Sequence, residues 1–440
     1  MVLNLYMQTI FLMKNNLNGY SGRLEIIQIF IFTLVLSQSL SAQNTTSYSI
    51  KSHAITLESE RALVVVDPSI SFLYLVGEDF HGINNIRGAK FKATFDGHFK
   101  AGGELLERQS TLSPFLTDFS RQSNRLPGWG RFKTISSLTD TGVPLKVDVA
   151  RATGFLEWSE KVSQGEAKGF HARLSNEAQS FGWAHSPLLL NREDVPYPTA
   201  KIGWQNSKLT FDVRAFQWIG DVRGPMGSTT EPLFNRIHGT LASGKYNTDS
   251  WGVAMLFGRA KELSQDTSSI NHINAISLSG FALFHDVRFI WEMSKSSASE
   301  KGFSWQVGGE YARENMKAGI NHYVTQAGLY GEDGGTEWSH SGIPLGVMTG
   351  GQSKSSVIYA EYRNKLLPKW ILFSECGTLK SAQFDYDLKW IKANLGRVIL
   401  EDWDLCGTLS FEHIIPVDHL PEGPSGWMMS VGISHGIINP

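Results

Sequence analysis

The sequence predicts an all-β fold, a transmembrane antiparallel β-barrel of roughly 16 to 18 strands with long loops. Three observations carry that expectation. Runs of apolar–polar alternation recur along the chain, and an export leader precedes them. Aromatic residues make up 11% of the chain, with 13 Trp and 43 Gly, yet the mean hydropathy is only −0.17. A helical membrane protein needs about 20 apolar residues in succession for each span, and no such stretch occurs. A large soluble β-protein rich in sugar-stacking aromatics has a similar composition, so strand length and export must separate the two.

Residues 26–36 (IIQIFIFTLVL) form an apolar run that is too short to span a membrane as a helix but suits a signal-peptide core. Lys14 and Arg23 supply the basic flank, and Ser39, Ser41 and Ala42 supply small residues, so cleavage is expected after Ala42. The basic region is long and Glu25 abuts the core, which leaves Met7 or Met13 as alternative starts. Residues 1–42 are thus read as a leader and 43–440 as one barrel domain, because no linker divides them.

In the mature chain, Phe91, Ala93, Phe95, Gly97 and Phe99 alternate with Lys90, Lys92, Thr94, Asp96, His98 and Lys100. The pattern returns at Leu209, Phe211, Val213 and Ala215 against Lys208, Thr210, Asp212 and Arg214. It returns again at Trp251–Phe257, at Val287–Met293 and at Phe303–Tyr311. A later run sets Ala382, Phe384, Tyr386, Leu388 and Trp390 against Gln383, Asp385, Asp387 and Lys389. Each run is about ten residues long, the length of a tilted membrane-spanning strand, whereas globular strands average about five or six. In a soluble sandwich the apolar face would be the core. Length and export instead make it the lipid face, with aromatics such as Trp251, Phe257 and Trp390 at run ends as interfacial girdles. The clusters Pro225–Thr230, Ser264–Ser269 and Gly331–Gly335 read as long loops.

The net charge of −2 offers no field for nucleic acid. Cys376 and Cys406 each precede Gly-Thr-Leu, which suggests similar strand positions. A disulfide between neighbouring strands in an oxidising compartment stays open at this stage. Gly432-Ile433-Ser434-His435-Gly436 matches the G-x-S-x-G elbow, but that elbow needs a strand-to-helix turn and no helix pattern follows. Asp385 and Asp387 share a strand face roughly 7 Å apart, as an inverting carboxylate pair would, yet lumen charge explains them better. His272, His285 and His322 are scattered without metal-ligand spacing, and Glu332-Asp333 lacks the twelve-residue calcium-loop pattern. No catalytic residue, metal or cofactor is therefore expected.

The central stretch, residues 147–203, differs from the rest. Phe181, Trp183 and Tyr197 stand among Arg173, Glu177, His185, Arg192, Glu193 and Asp194. Flat aromatic faces flanked by hydrogen-bonding groups suit sugar recognition. The same residues equally suit a plug or constriction loop that packs its aromatics inside a barrel.

The stretches Val147–Trp158, Arg173–Glu177, Phe181-Gly182-Trp183, Ser186–Leu190 and Pro196-Tyr197-Pro198 resemble, in that order, the Wzi-type capsule-assembly family. About 60 residues carry the resemblance. Ala184 stands where a second Gly is usual, and Pro187 interrupts the Ser–Leu run. The resemblance implies an outer-membrane barrel that binds and anchors capsular or related surface polysaccharide without catalysis, set among membrane lipid and expected as a monomer. By position it makes Arg151, Arg173, Glu177 and Arg192 candidates for the barrel interior or a sugar-facing surface, beside the aromatics Trp183 and Tyr197. The competing reading is a channel for saccharides or other small solutes, which an open lumen would favour. A surface hydrolase built on Ser434 or Asp385 is a third.

Overall fold

The computed structural model describes residues 47–48, 55–78, 80–123, 125–135, 143–160, 168–184, 186–191, 195–222, 234–263, 272–297, 303–326, 329–330, 339–340, 343–344, 351–363, 370–382, 386–400, 405–417 and 425–435. The expected leader lies outside them. Eighteen antiparallel strands form one closed wall. They are β1 (Ala62–Gly77), β2 (His81–Phe95), β3 (Phe99–Thr111), β4 (Lys146–Ser159), β5 (Gly169–Glu177) and β6 (Tyr197–Gln205). Next come β7 (Leu209–Val222), β8 (Phe234–Asn247), β9 (Trp251–Leu263), β10 (His272–Phe284), β11 (Val287–Ser296) and β12 (Phe303–Arg313). The last six are β13 (Met316–Thr325), β14 (Ser353–Arg363), β15 (Trp370–Ser381), β16 (Tyr386–Leu400), β17 (Leu405–Pro416) and β18 (Gly426–His435). Each strand pairs with its sequence neighbours, and β18 closes on β1 from Met428↔Gly77 to Ser434↔Ser71. Closure removes the unpaired edges that a bilayer would leave unsatisfied. Where β1 extends past β18, the short strand Ile55–Glu58 pairs with it instead (Ile55↔Val66).

The side-chain pattern is inverted relative to a soluble protein. Outward positions expose Phe72, Leu105, Leu174, Ile202, Val213, Met255, Phe289, Ile320, Ile358 and Val431. Alternating inward positions bury Ser71, Asp212, Arg214, Ser277, Glu292, Gln306, Asn321 and Ser355. Soluble monomers do not show contiguous apolar surface on this scale, so the belt faces lipid and the chain is an outer-membrane β-barrel. Among the described residues no helix is long and apolar enough to cross a membrane.

The ends of the barrel differ. Residues 96–98, 206–208, 248–250, 285–286 and 314–315 make short turns at one end, whereas the longer described connections, 112–123 with 125–135 and 178–184 with 186–191, lie at the other. Short turns mark the periplasmic end and long loops the extracellular end. Asp96 and Gly97 both adopt positive φ (47° and 71°), the backbone that a tight hairpin favours and glycine accepts most readily. Just inside the short-turn end an outward aromatic row runs through Phe99↔Trp158, Phe170↔Trp204 and Trp204↔Phe211. Tyr246 and Trp251 continue it, with ring centroids 5.1 Å apart.

Between β3 and β4 the chain forms a helix, α1 (Pro114–Ser123). Ser113 caps it by accepting the Leu116 amide at 3.5 Å, and Pro114 occupies the first turn, where its missing N–H costs nothing. Phe115 reaches Tyr386 on β16 at 5.5 Å between centroids, and Leu145 donates its amide to the Thr117 hydroxyl at 3.1 Å. This connection corrects two expectations of facing. Tyr386, Leu388 and Trp390 point inward and pack with Phe115, while Asp387 faces out and takes an ion pair from Lys380 at 2.8 Å. Val147 and Val149 also turn inward, under Leu112, Leu126 and Trp129. A filled lumen needs apolar wall wherever the filling is apolar, so the apolar face of a strand is not always its lipid face.

The disulfide is excluded. Cys376 and Cys406 are both free, the first exposed and the second buried. They lie on β15 and β17 with β16 between them, Cys376 opposite Ile391 and Cys406 opposite Val398, so the offset along the strands alone is roughly 20 Å, far beyond disulfide reach. The lipid-facing assignment predicts that Leu174→Arg, at a position 61% exposed on β5, destabilises the folded barrel by about 2–4 kcal/mol near the bilayer centre. Denaturant titration in lipid vesicles measures this, and unchanged stability would contradict the assignment.

Candidate functional site

After β5 the chain turns into the lumen. Phe181, Leu188, Leu189 and Leu190 are fully buried there against Tyr197, Phe216, Trp218, Leu241, Leu256 and Tyr330. The Phe181 amide donates to the Leu190 carbonyl at 3.3 Å, drawing the segment into a compact plug. Gly182 makes the turn possible with φ +85°, and a Cβ there would sit 2.8 Å from the Ser279 hydroxyl. Ala184, where the family resemblance leads one to expect a second Gly, has no positive φ, so its methyl is tolerated.

One residue of the plug is tied at both backbone groups, to the far wall and to the connection after β13. The Leu188 amide donates to both Glu292 carboxylate oxygens, at 3.2 and 3.3 Å, and its carbonyl accepts from the Tyr330 hydroxyl. Glu292 is fully buried on β11 without a cation in contact among the described residues. Its charge is met by donors instead: the Ser277 hydroxyl at 3.0 Å, the Ser294 hydroxyl at 3.4 Å and the Gln306 amide at 2.7 Å. Asn321 in turn donates to Gln306 at 3.4 Å. Three strands, β10 to β12, thus converge on one carboxylate that receives the plug, with Asn321 of β13 behind Gln306.

Beside the plug, β2 to β8 line the lumen with charge. Register places Lys100, Glu157, Arg173, Lys201 and Arg214 side by side across five strands. Arg173 donates to Glu157 at 2.8 Å and to Glu177, and its guanidinium lies 3.8 Å over the Phe155 ring. Arg151 pairs with Glu104 at 2.5 Å, donates to the Gly128 carbonyl at 3.1 Å and stacks 4.9 Å over Trp129. Arg214 pairs with Asp212 at 2.5 Å and donates to Gln179 of the plug at 3.4 Å. Lys245 stands 5.8 Å from both the Phe181 and Trp183 rings. Like charges on facing strands repel, so the Arg173–Lys201–Arg214 row holds only with Glu157, Glu177 and Asp212 interleaved. Lys201 and Lys245 remain in excess over these carboxylates.

The residues named from sequence are placed as follows. Arg151, Arg173 and Glu177 are half-buried on the inner wall, Arg151 paired with Glu104 and Arg173 with both Glu157 and Glu177. Trp183 is half-buried on the plug, 5.0 Å edge-on to Phe281. Tyr197 is 1% exposed and packs edge-on to Trp218 at 5.8 Å, within the plug's apolar contacts. Arg192 lies outside the described residues, as do His185, Glu193, Asp194 and Asp385. Ser434 sits in β18 paired with Cys406 and Ser71, not on a strand-to-helix elbow. Glu104, Glu157, Lys201, Asp212, Arg214, Lys245 and Glu292 were missed. Asp212 and Arg214 already stood on the polar face of a run, and carrying that alternation through β3 to β8 would have reached Glu104, Glu157, Lys201 and Lys245.

Neither a known family nor any curated protein matches the chain by sequence. The fold resembles that of Wzi. That Escherichia coli protein is a carbohydrate-binding β-barrel of the outer membrane involved in group 1 capsule assembly. The likeness covers 83% of this chain and 84% of Wzi, with a TM-score of 0.54 and 9% identity. OccK3 (OpdO) of Pseudomonas aeruginosa is also similar, over 84% of this chain and 94% of its own, with a TM-score of 0.50 and 12% identity. At such identities the likeness is one of fold. It agrees with the resemblance read from residues 147–198 and with an outer-membrane location.

The plug's attachment predicts the behaviour of Glu292→Leu. With its donors left unmatched, the variant should lose about 2 kcal/mol or more of stability. Residues 178–191 should become cleavable by added protease, and current through single molecules in planar bilayers should rise. Wild-type protection and current in that variant would show that Glu292 does not hold the plug.

Proposed function

We propose that the chain binds capsular or related surface polysaccharide and anchors it at the cell surface, without reacting with it. The observation that carries this reading is the plug: the segment that fills the lumen also brings Trp183 beside a charged wall. A lumen partly filled by its own chain suits holding a polymer better than passing a solute. In this reading a sugar ring stacks on Trp183, while Arg151, Arg173, Glu177, Lys201 and Lys245 meet hydroxyl and acidic groups of successive residues. Single sugar contacts are weak, and a polymer engaging several at once gains through effective concentration. Likeness of fold to a carbohydrate-binding barrel supports the same reading. The chain acts as a monomer surrounded by outer-membrane lipid.

The second reading is a channel for saccharides or other small solutes, favoured by the partly exposed charge on β3 to β8. A large, stable single-channel conductance of the wild-type protein would establish the channel and sink the anchor. For the anchor, deletion should shift polysaccharide from the cell-bound to the released fraction, and an unchanged ratio would refute it. On a deletion background, Trp183→Ala should weaken polysaccharide binding about tenfold, the scale of one lost aromatic stacking contact, as measured with purified protein.

A further inference from the structure

The outer surface carries a feature that the lumen does not use. High on the wall formed by β2, β3 and β4 lies an open groove of about 1050 Å³. Its outward floor is apolar, made by Ala89, Ala150 and Leu105, the last 65% exposed. Above the floor stand three cations. Arg87 projects from β2 and donates to Glu107 at 2.9 Å. Arg131 and Lys133 come from the segment that pairs beside β4 through Lys133↔Asp148 and Thr134↔Val147. Both are exposed, and neither forms an ion pair with a carboxylate among the described residues. With Glu107 and Asp148 also lining the groove, cations outnumber carboxylates.

The order of these groups across the membrane is informative. β3 runs toward the long-loop end, so Leu105 lies two residues, roughly 7 Å, deeper than Glu107 and its partner Arg87. Apolar surface toward the bilayer centre with cations above it complements an acidic lipid, whose acyl chains lie deep and whose anionic group lies above them. Guanidinium and ammonium groups bind phosphate oxygens through charge-assisted hydrogen bonds. Basic clusters at a membrane surface gain from each anionic headgroup they meet. We propose that this groove binds a phosphate-bearing lipid of the outer leaflet, with acyl chain on Leu105 and Ala89 and phosphate among Arg87, Arg131 and Lys133.

The test uses the full chain in detergent, with lipid retention counted by native mass spectrometry. The probes are a diphosphorylated, acylated glucosamine lipid and the same lipid stripped of phosphate. The wild type should retain the phosphorylated probe, and the double variant R131E/K133E should bind it about tenfold more weakly. Leu105→Gln keeps the cations and should also weaken retention, while excess inorganic phosphate should not displace the lipid. An unchanged heat-resistant band on gels verifies that each variant is folded. Equal retention by the double variant, equal binding of the phosphate-free probe, or displacement by inorganic phosphate would each overturn the proposal.

Discussion

The contact between the Glu292 carboxylate and the Leu188 amide joins two parts of the chain that share no strand pairing, and the filled lumen depends on it. Removing a carboxylate from water costs several kcal/mol, and here donors instead of a counter-ion offset part of that cost. Those donors come from β10, β11, β12 and the plug, so the charge is satisfied only when the plug sits in one place. Greasy contacts alone would let Leu188, Leu189 and Leu190 slide. A buried acceptor that needs one particular amide fixes the position, and the apolar contacts then add the bulk of the adhesion.

The charged wall follows from that placement. The plug packs on the wall from β6 to β13, and beside it, on β3 to β7, Glu104, Arg151, Glu157, Arg173 and Asp212 interleave. Gln179 and Lys245 touch both regions, the first through Arg214 and the second through Phe181 and Trp183. The aromatic faces of the central stretch are therefore divided. Phe181 and Tyr197 serve the packing, whereas Trp183 lies at the border between plug and charged wall.

Much of the barrel was legible because a wall between lipid and lumen writes a period of two into the sequence. Phe211 and Val213 against Asp212 and Arg214 carry that signal plainly, and so do Phe289 and Met293 against Glu292. Legibility failed where the lumen is apolar. Tyr386, Leu388, Val147 and Val149 show the same alternation with the opposite facing, because Phe115 and Trp129 approach from inside. Only a long-range contact decides which face is which. Glu292 was hidden for a related reason: on a strand it reads as one more wall charge, and its partner lies 104 residues away. The central stretch left a sugar-contacting segment and a plug equally open, since both need aromatics among polar groups. The structure makes it a plug that also presents Trp183.

The seam between β1 and β18 has a consequence for how the protein comes to be. Neighbouring hairpins form from short loops, but this seam joins the first and last strands of the wall and carries the largest entropic cost of closure. The segment that leaves β5 finds its acceptor only once β10 to β13 have been laid down. In the unsealed sheet that acceptor is reached from the side; after sealing, it is reached only through the mouth. Connectivity thus makes filling and sealing two competing events in the biogenesis of the barrel. A wall left open until its last strand lets the chain wrap around its own interior and spares it the task of threading a finished pore.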